Sequence, residues 1–314
     1  MNVSVPEEIV EWFSHAQNMS EHLAGRRIVE RLGKGGFGSV YKVVNPVTGS
    51  AVALKILSDD GRSDKRSAMR KRENSLKTEF KFFSKIRHPN LIPIYDMGRT
   101  KGRLFIVMEF ADDKDLSQRM EDPSRPLDDN ERLRIMKFIA CGMTYIAEQG
   151  LIHGDIKPAN VLLFKNGQVK LTDFGLSRRR GWSTESVAKG TPHYMAPEQI
   201  LKRSIGEYSD IYSLGVMMYE MFTGIRPFPV PRIVYEGRVK KVKVPRPGSV
   251  DKHTILKQHV KQKPLRPTEI NPRISRPLEQ TIIRCMEKNI KKRYDKLHYV
   301  WADLINCPEF GGRI

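Results

Sequence analysis

Hydrophobic periodicity changes character part-way along this chain, and that change limits the folds open to it. Before about residue 110 the signals are those of strands. "RIVERLGKGGFGSVYKVVN" and "AVALKIL" alternate like antiparallel strands, with the turn "NPVTG" between them. A very basic segment over residues 62–72 leads into a helix ending near "SKIRHPN", and two more strands follow, "LIPIYDMG" and "LFIVMEF". From about residue 128 the apolar spacing turns helical: "DDNERLRIMKFIACGMTYIAEQG" stops at Gly150, and helical patterns dominate from there on. The order predicts an α+β chain with a small β-rich lobe over 26–108, holding one main helix, and a larger α-rich lobe over 112–314. A connector at 109–111 joins them. An N-terminal extension, 1–25, carries an amphipathic helix over 4–23. There Ser4 and Glu7 resemble a capping box, and Ile9, Val10, Trp12 and Phe13 supply an apolar side. That helix is expected on the outside of the main fold. No internal repeats are present.

A chain of 314 residues can bury a large core, and its apolar and charged fractions are those of a globular enzyme. Cys141, Cys285 and Cys307 lie far apart, without metal-ligand spacing, which predicts reduced, buried thiols and neither a disulfide framework nor a zinc site. No apolar run approaches the ~20 residues of a membrane span, and the acidic start "MNVSVPEEIVEWF" lacks the order of a signal peptide. A cytoplasmic protein is expected. The net charge of +19 attracts polyanions. Without a nucleic-acid motif, however, it reads as a basic surface around a nucleotide site, and nucleic acid is not expected as the primary ligand.

"GKGGFGSV" places Gly33, Gly35 and Gly38 in a G-x-G-x-x-G pattern, where backbone amides can approach phosphates closely. A dinucleotide-binding fingerprint would lead into a helix, whereas this one leads into the strand "SVYKVV". Lys55, on the strand "VALK", can reach phosphates if a carboxylate holds it. Glu79 is the candidate and Glu73 its competitor. In "LIHGDIKPANVLL" and "LTDFG", Asn160 and Asp173 make an oxygen-ligand pair for magnesium on a triphosphate. Asp155 is then left to accept a hydroxyl proton or orient the nucleophile, and Lys157 to stabilise the transferring phosphoryl group.

In this order and spacing, the glycine loop, Lys55, Glu79, "HGDIKPAN", "DFG", "GTPHYMAPE" and "YSDIYSLGVMMYEMFTG" resemble a eukaryotic-type (Hanks-like) Ser/Thr protein kinase over roughly residues 27–305. The resemblance implies a bilobal protein kinase fold with ATP between the lobes, Mg²⁺ (or Mn²⁺) on Asn160 and Asp173, and a protein substrate. It implies that Leu32, the loop glycines, Val40, Ala53 and Leu162 enclose the nucleotide. Met108 would be the gatekeeper, with the backbone of Glu109 and Ala111 on the adenine edge. Phe83, Ile94, His153 and Phe174 would form a stacked apolar spine. Glu198 would pair with Arg293, and Asp210 would cap the catalytic loop. "GTPHYMAPE" would form a peptide-binding shelf. Lysine at 157 and Thr191 resemble the Ser/Thr class, and "INPRISRPLEQTIIRCMEKNIKKRYD" is most similar to bacterial members. Few residues follow the matched stretch, so no sensor domain is expected after it.

Three departures stand out. Gly154 replaces the arginine that clamps a phosphorylated activation segment, making the loop non-RD, while Ser183, Thr184 and Ser186 remain candidate autophosphorylation sites. Tyr212 stands where tryptophan is frequent. The insertion at about 230–250, "VPRIVYEGRVKKVKVPRPGSV", reads as a hairpin with one basic face, which is either a solvated decoration or a dock for an acidic partner. A small-molecule kinase of the same fold would lack the shelf and Lys157. A pseudokinase scaffold would have lost Lys55, Asp155 or Asp173.

Overall fold

The computed structural model describes residues 5–18, 20–35, 38–57, 80, 84–173, 178–179, 190–236, 239–246 and 248–310. The chain divides into two units, Met1–Asp112 and Asp113–Ile314.

The first unit is an antiparallel five-stranded sheet. Its strands are β1 (Arg27–Gly35), β2 (Gly38–Val44), β3 (Ala51–Leu57), β4 (Ile94–Thr100) and β5 (Arg103–Glu109), in the order β1-β2-β3-β5-β4. Register separates its two faces. Val40 pairs Lys55, Lys42 pairs Ala53, and Ala53 and Lys55 pair Met108 and Ile106, so these six positions share one face. The other face carries Tyr41, Val43, Val52, Leu54, Ile56, Phe105 and Val107. These bury against Ile9, Trp12, Phe13 and Ala16 of helix α1 (Glu7–Gln17) and against Leu23.

Helix α1 is therefore part of the core of this unit, covering the sheet face opposite Lys55. Its buried residues recur at i, i+3, i+4 and i+7. Val10 falls off that stripe and is 49% exposed, against the sequence expectation. The expected capping box is absent too. Pro6 occupies the N-cap without a side-chain cap, which puts Glu7 at the first helical position and not the third. The Trp12 indole donates to the Thr100 carbonyl at 3.0 Å and meets Phe105 edge-on at 5.7 Å. Gly98 makes room for that ring, since a Cβ there would lie 2.3 Å from the Phe105 Cζ. Glu11 pairs with Lys101 at 2.7 Å and Glu8 pairs with Arg103, fixing α1 to the β4–β5 turn.

The second unit is mainly helical. It begins with α2 (Leu116–Met120) and α3 (Asp129–Glu148), each capped by the aspartate before it. Short strands β6 (Leu151–Ile152), β7 (Val161–Leu163), β8 (Val169–Leu171) and β9 (Arg178–Arg179) follow, with β6 pairing β9 and β7 pairing β8. Next come α4 (Pro197–Ile200) and α5 (Glu207–Thr223). From Ser209 to Tyr219 α5 is buried at every position, so it runs through the core. A hairpin of β10 (Arg232–Glu236) and β11 (Val239–Lys243) leads to α6 (Lys252–Lys261), α7 (Pro267–Ile270), α8 (Arg276–Cys285) and α9 (Leu297–Ile305). In the hairpin Lys241 lies opposite Val234 and Lys240 opposite Tyr235. Neighbouring strand positions fall on opposite faces, so positions 240 and 241 do not share one. Lys241 and Lys243 share a face and are exposed. All three cysteines are free; Cys285 and Cys307 are buried, but Cys141 lies on the outer side of α3 and is exposed. Among the described residues no helix is long and apolar enough to cross a membrane.

Candidate active site

The segment after β6 is held from below by α5. The buried Asp210 carboxylate accepts the His153 amide at 2.7 Å on one oxygen and the Gly154 amide at 2.8 Å on the other. Burial raises the Asp210 carboxyl to about 7 even against those two donors. Gly154 has a left-handed φ of 80°, a region that costs a side chain roughly 1–2 kcal/mol. Its carbonyl accepts Gln199 Nε2 at 2.9 Å. Helices α4 and α5 thus set the backbone at Gly154. His153 is fully buried, and burial lowers its pKa. The neutral ring donates from Nε2 to the Thr172 carbonyl at 3.1 Å and takes the Asp155 amide weakly on Nδ1 at 3.4 Å.

Asp155 is the centre of the cluster. Its Oδ2 accepts Lys157 Nζ at 2.7 Å, and its Oδ1 accepts the Thr191 amide at 2.9 Å. Lys157 Nζ also donates to Thr191 Oγ1 at 2.7 Å. Asn160 lies on a 3₁₀ turn, Pro158–Asn160, and commits Nδ2 to the Asp155 carbonyl at 2.8 Å. With its nitrogen engaged, the amide oxygen is what it offers to a ligand. The Asn160 carbonyl accepts the Thr172 amide at 3.0 Å, tying this turn to the residue before Asp173. Asp173 itself has φ 67°, an uncommon value for a non-glycine residue and frequent at functional sites.

One carboxylate and one amide oxygen suit Mg²⁺, which completes its shell with water and phosphate oxygens. No cage of three His, Cys, Asp or Glu residues gathers among the described residues. Leu162 is on β7, pairing Lys170. In the first unit Gly33 pairs Val40, and Ala53 and Lys55 lie on the face shared with Met108. Leu32 is 40% exposed. The Glu109 amide is donated to the Pro93 carbonyl at 3.2 Å, while Ala111 follows β5 outside any strand. Glu79, Glu73, Phe83, Phe174, Ser183, Thr184 and Ser186 lie outside the described residues, as does the helix expected before "HPN".

Glu198 and Arg293 form a buried fork, with contacts of 2.8 and 3.3 Å. The remaining guanidinium donors reach the carbonyls of Glu287 and Tyr208. Arg293 also lies 4.9 Å from the Tyr212 ring centroid. The Tyr212 hydroxyl meets His259 Nδ1 at 3.0 Å and accepts Lys288 Nζ at 2.8 Å. Lys288 sits over the rings of Tyr212 and Phe228, and burial lowers it to about 7. His259 is driven down to about 3 by burial and by the Lys288 charge. Sequence reasoning marked Tyr212 as a departure but missed His259, Lys288 and Gln199. The first two partners are 47 and 76 residues away, beyond any local pattern.

The family model of the protein kinase domain matches residues 26–303, and the chain belongs to that family. It is 28% identical over 291 residues to a probable serine/threonine-protein kinase PknB of Lactococcus lactis, covering 91% of this chain and 42% of that one. Likeness to a probable serine/threonine-protein kinase of Clostridium acetobutylicum is 28% over 283 residues, 89% and 39% of the two chains. The human hormonally up-regulated neu tumor-associated kinase is 32% identical over 254 residues, 77% and 34%. The chain spans about two fifths or less of the length of these relatives. Helix α1 precedes the matched stretch, although it completes the core of the first unit.

Proposed function

We propose that this chain is an ATP-dependent protein serine/threonine kinase that moves the γ-phosphoryl group of ATP to serine or threonine hydroxyls of a protein. The observation that carries the reading is the Asp155–Lys157–Thr191 cluster, in which a carboxylate, a cation and the first residues of the shelf are joined by contacts of 2.7–2.9 Å. In the reaction the substrate oxygen bonds to the γ-phosphorus as the β–γ bridging bond breaks and ADP departs. Asp155 orients the hydroxyl and takes its proton. Lys157 lies where charge gathers on the moving phosphoryl group. Lys55 and the glycines of β1 and β2 contact the phosphates, with Glu79 as the partner of Lys55. Asn160 and Asp173 would hold Mg²⁺, which would neutralise phosphate charge. The nucleotide base is taken by Leu32, Val40, Ala53, Leu162 and the backbone at Glu109 and Ala111, beside Met108. The protein works in the cytoplasm, and Lys241 and Lys243 of the hairpin offer a dock for an acidic partner.

The test is incubation of the purified chain with labelled ATP and Mg²⁺ against a generic protein substrate, itself, and a panel of aminoglycosides and choline. Label in protein serine or threonine is the expected result. Label only in a small molecule would assign the chain to the small-molecule kinases, and nucleotide binding without transfer would make it a pseudokinase.

A further inference from the structure

The shelf continues past Thr191 into a network that the transfer chemistry does not use. Tyr194 closes a turn, its amide donating to the Thr191 carbonyl at 2.9 Å, and its own carbonyl accepts Ser213 Oγ at 2.8 Å. The Tyr194 hydroxyl donates to Glu220 Oε2, and Arg226 Nε donates to Glu220 Oε1 at 2.9 Å. Both oxygens of the acid are thereby occupied from within the chain. The Arg226 side chain is 40% exposed, and it also meets the Tyr194 side chain. His193, half-buried beside it, has its pKa lowered by burial and then by the Arg226 charge, which favours the neutral ring. Next to Tyr194, which is one turn from the residue that binds Asp155 and Lys157, the exposed charge is thus the Arg226 guanidinium.

We propose that Arg226 determines specificity for the peptide substrate, taking a carboxylate side chain near the acceptor hydroxyl and disfavouring a basic residue there. This rests on the protein-kinase reading. A peptide arginine would find Glu220 already paired and Arg226 repelling it, and like charges brought together are a strong source of discrimination.

The test uses serine peptides that differ in Glu, Gln or Arg at positions flanking the acceptor. Both kcat/KM and binding, the latter by fluorescence anisotropy to the Asp155→Asn protein, are measured. The wild type is expected to prefer the Glu over the Arg peptide by tenfold or more. Arg226→Ala, by removing the cation and releasing Glu220, should bring that ratio to one or below. Arg226→Lys should keep most of it, and thermal melting checks that each variant folds. A wild-type ratio near one, or the same ratio in Arg226→Ala, overturns the proposal. If no peptide is phosphorylated, the kinase reading fails, while the anisotropy ratio still decides the role of Arg226.

Discussion

Asp155 and Asp173 separate two kinds of loss at the residue scale. Asp155 accepts Lys157 and the Thr191 amide, with Asn160 Nδ2 at 3.3 Å, so on the proposed roles Asp155→Asn removes proton acceptance while keeping the oxygens of Asn160 and Asp173. Turnover should fall about 10²–10⁴-fold with ATP affinity nearly unchanged. Asp173→Asn removes a metal charge and should abolish Mg²⁺-dependent ATP binding and transfer together, without lowering the melting temperature. Steady-state kinetics with nucleotide titration tell the two apart. Gly154 bears on regulation. Its amide and carbonyl are taken by Asp210 and Gln199, so the loop is braced by its own unit, and position 154 itself offers no guanidinium to a phosphate. Phosphatase-treated enzyme and a Ser183, Thr184, Ser186 triple-alanine variant should therefore stay within a few-fold of untreated enzyme. A hundredfold loss in both would show that phosphorylation controls the loop by another route.

Two elements that contribute no residue to the Asp155 cluster call for opposite experiments. Helix α1 closes the sheet face opposite Lys55, and Trp12 is 3% exposed against Phe105. Trp12→Ala should cost about 3–5 kcal/mol, read as a lower urea midpoint with the slope unchanged, whereas Val10→Ala on the exposed side should stay within about 0.5 kcal/mol. Equal effects would mean that α1 does not bury the stripe described. The β10–β11 hairpin presents Lys241 and Lys243 outward. Reversing both charges should slow association with an acidic partner and steepen no other defect, leaving turnover of a short neutral peptide unchanged. Loss on every substrate would assign the hairpin a structural role instead.

Across the second unit, Glu198, Arg293, Tyr212, His259 and Lys288 join α4, α5, α6 and the segment after α8 into one buried polar chain. Its electrostatics predict how stability follows pH. Lys288 is lowered from 10.5 to about 7. Below about pH 7 both folded and unfolded chains hold the proton, and the burial penalty acts in full. Above it the unfolded chain keeps the proton that the folded chain has released, so stability rises toward the ordinary lysine value. Lys288→Met should flatten that rise. The wild-type minus variant difference should grow by at most about 1.4 kcal/mol per pH unit over this window. Urea unfolding at several pH values measures it, and parallel profiles would show that Lys288 titrates normally.

The strands of the first unit, helix α3 and the motifs around Asp155 were legible in the sequence because each rests on near neighbours. Alternation marks a strand, 3.6-residue spacing marks a helix, and the chemistry of "HGDIKPAN" is packed into eight residues. The same locality limited the reading of α1, whose apolar stripe was visible while its partner surface on β2, β3 and β5 was not. It also produced the single basic face once expected of the hairpin, since "VKKVK" breaks its alternation between Lys240 and Lys241 and only strand register shows which lysines go together. The pairing of Tyr194, Glu220 and Arg226, and that of Tyr212 with His259 and Lys288, belong to tertiary structure alone. A buried polar group takes whichever partner the fold brings within about 3 Å, because leaving it unpaired costs more than any local preference, and sequence separation carries no information about that distance.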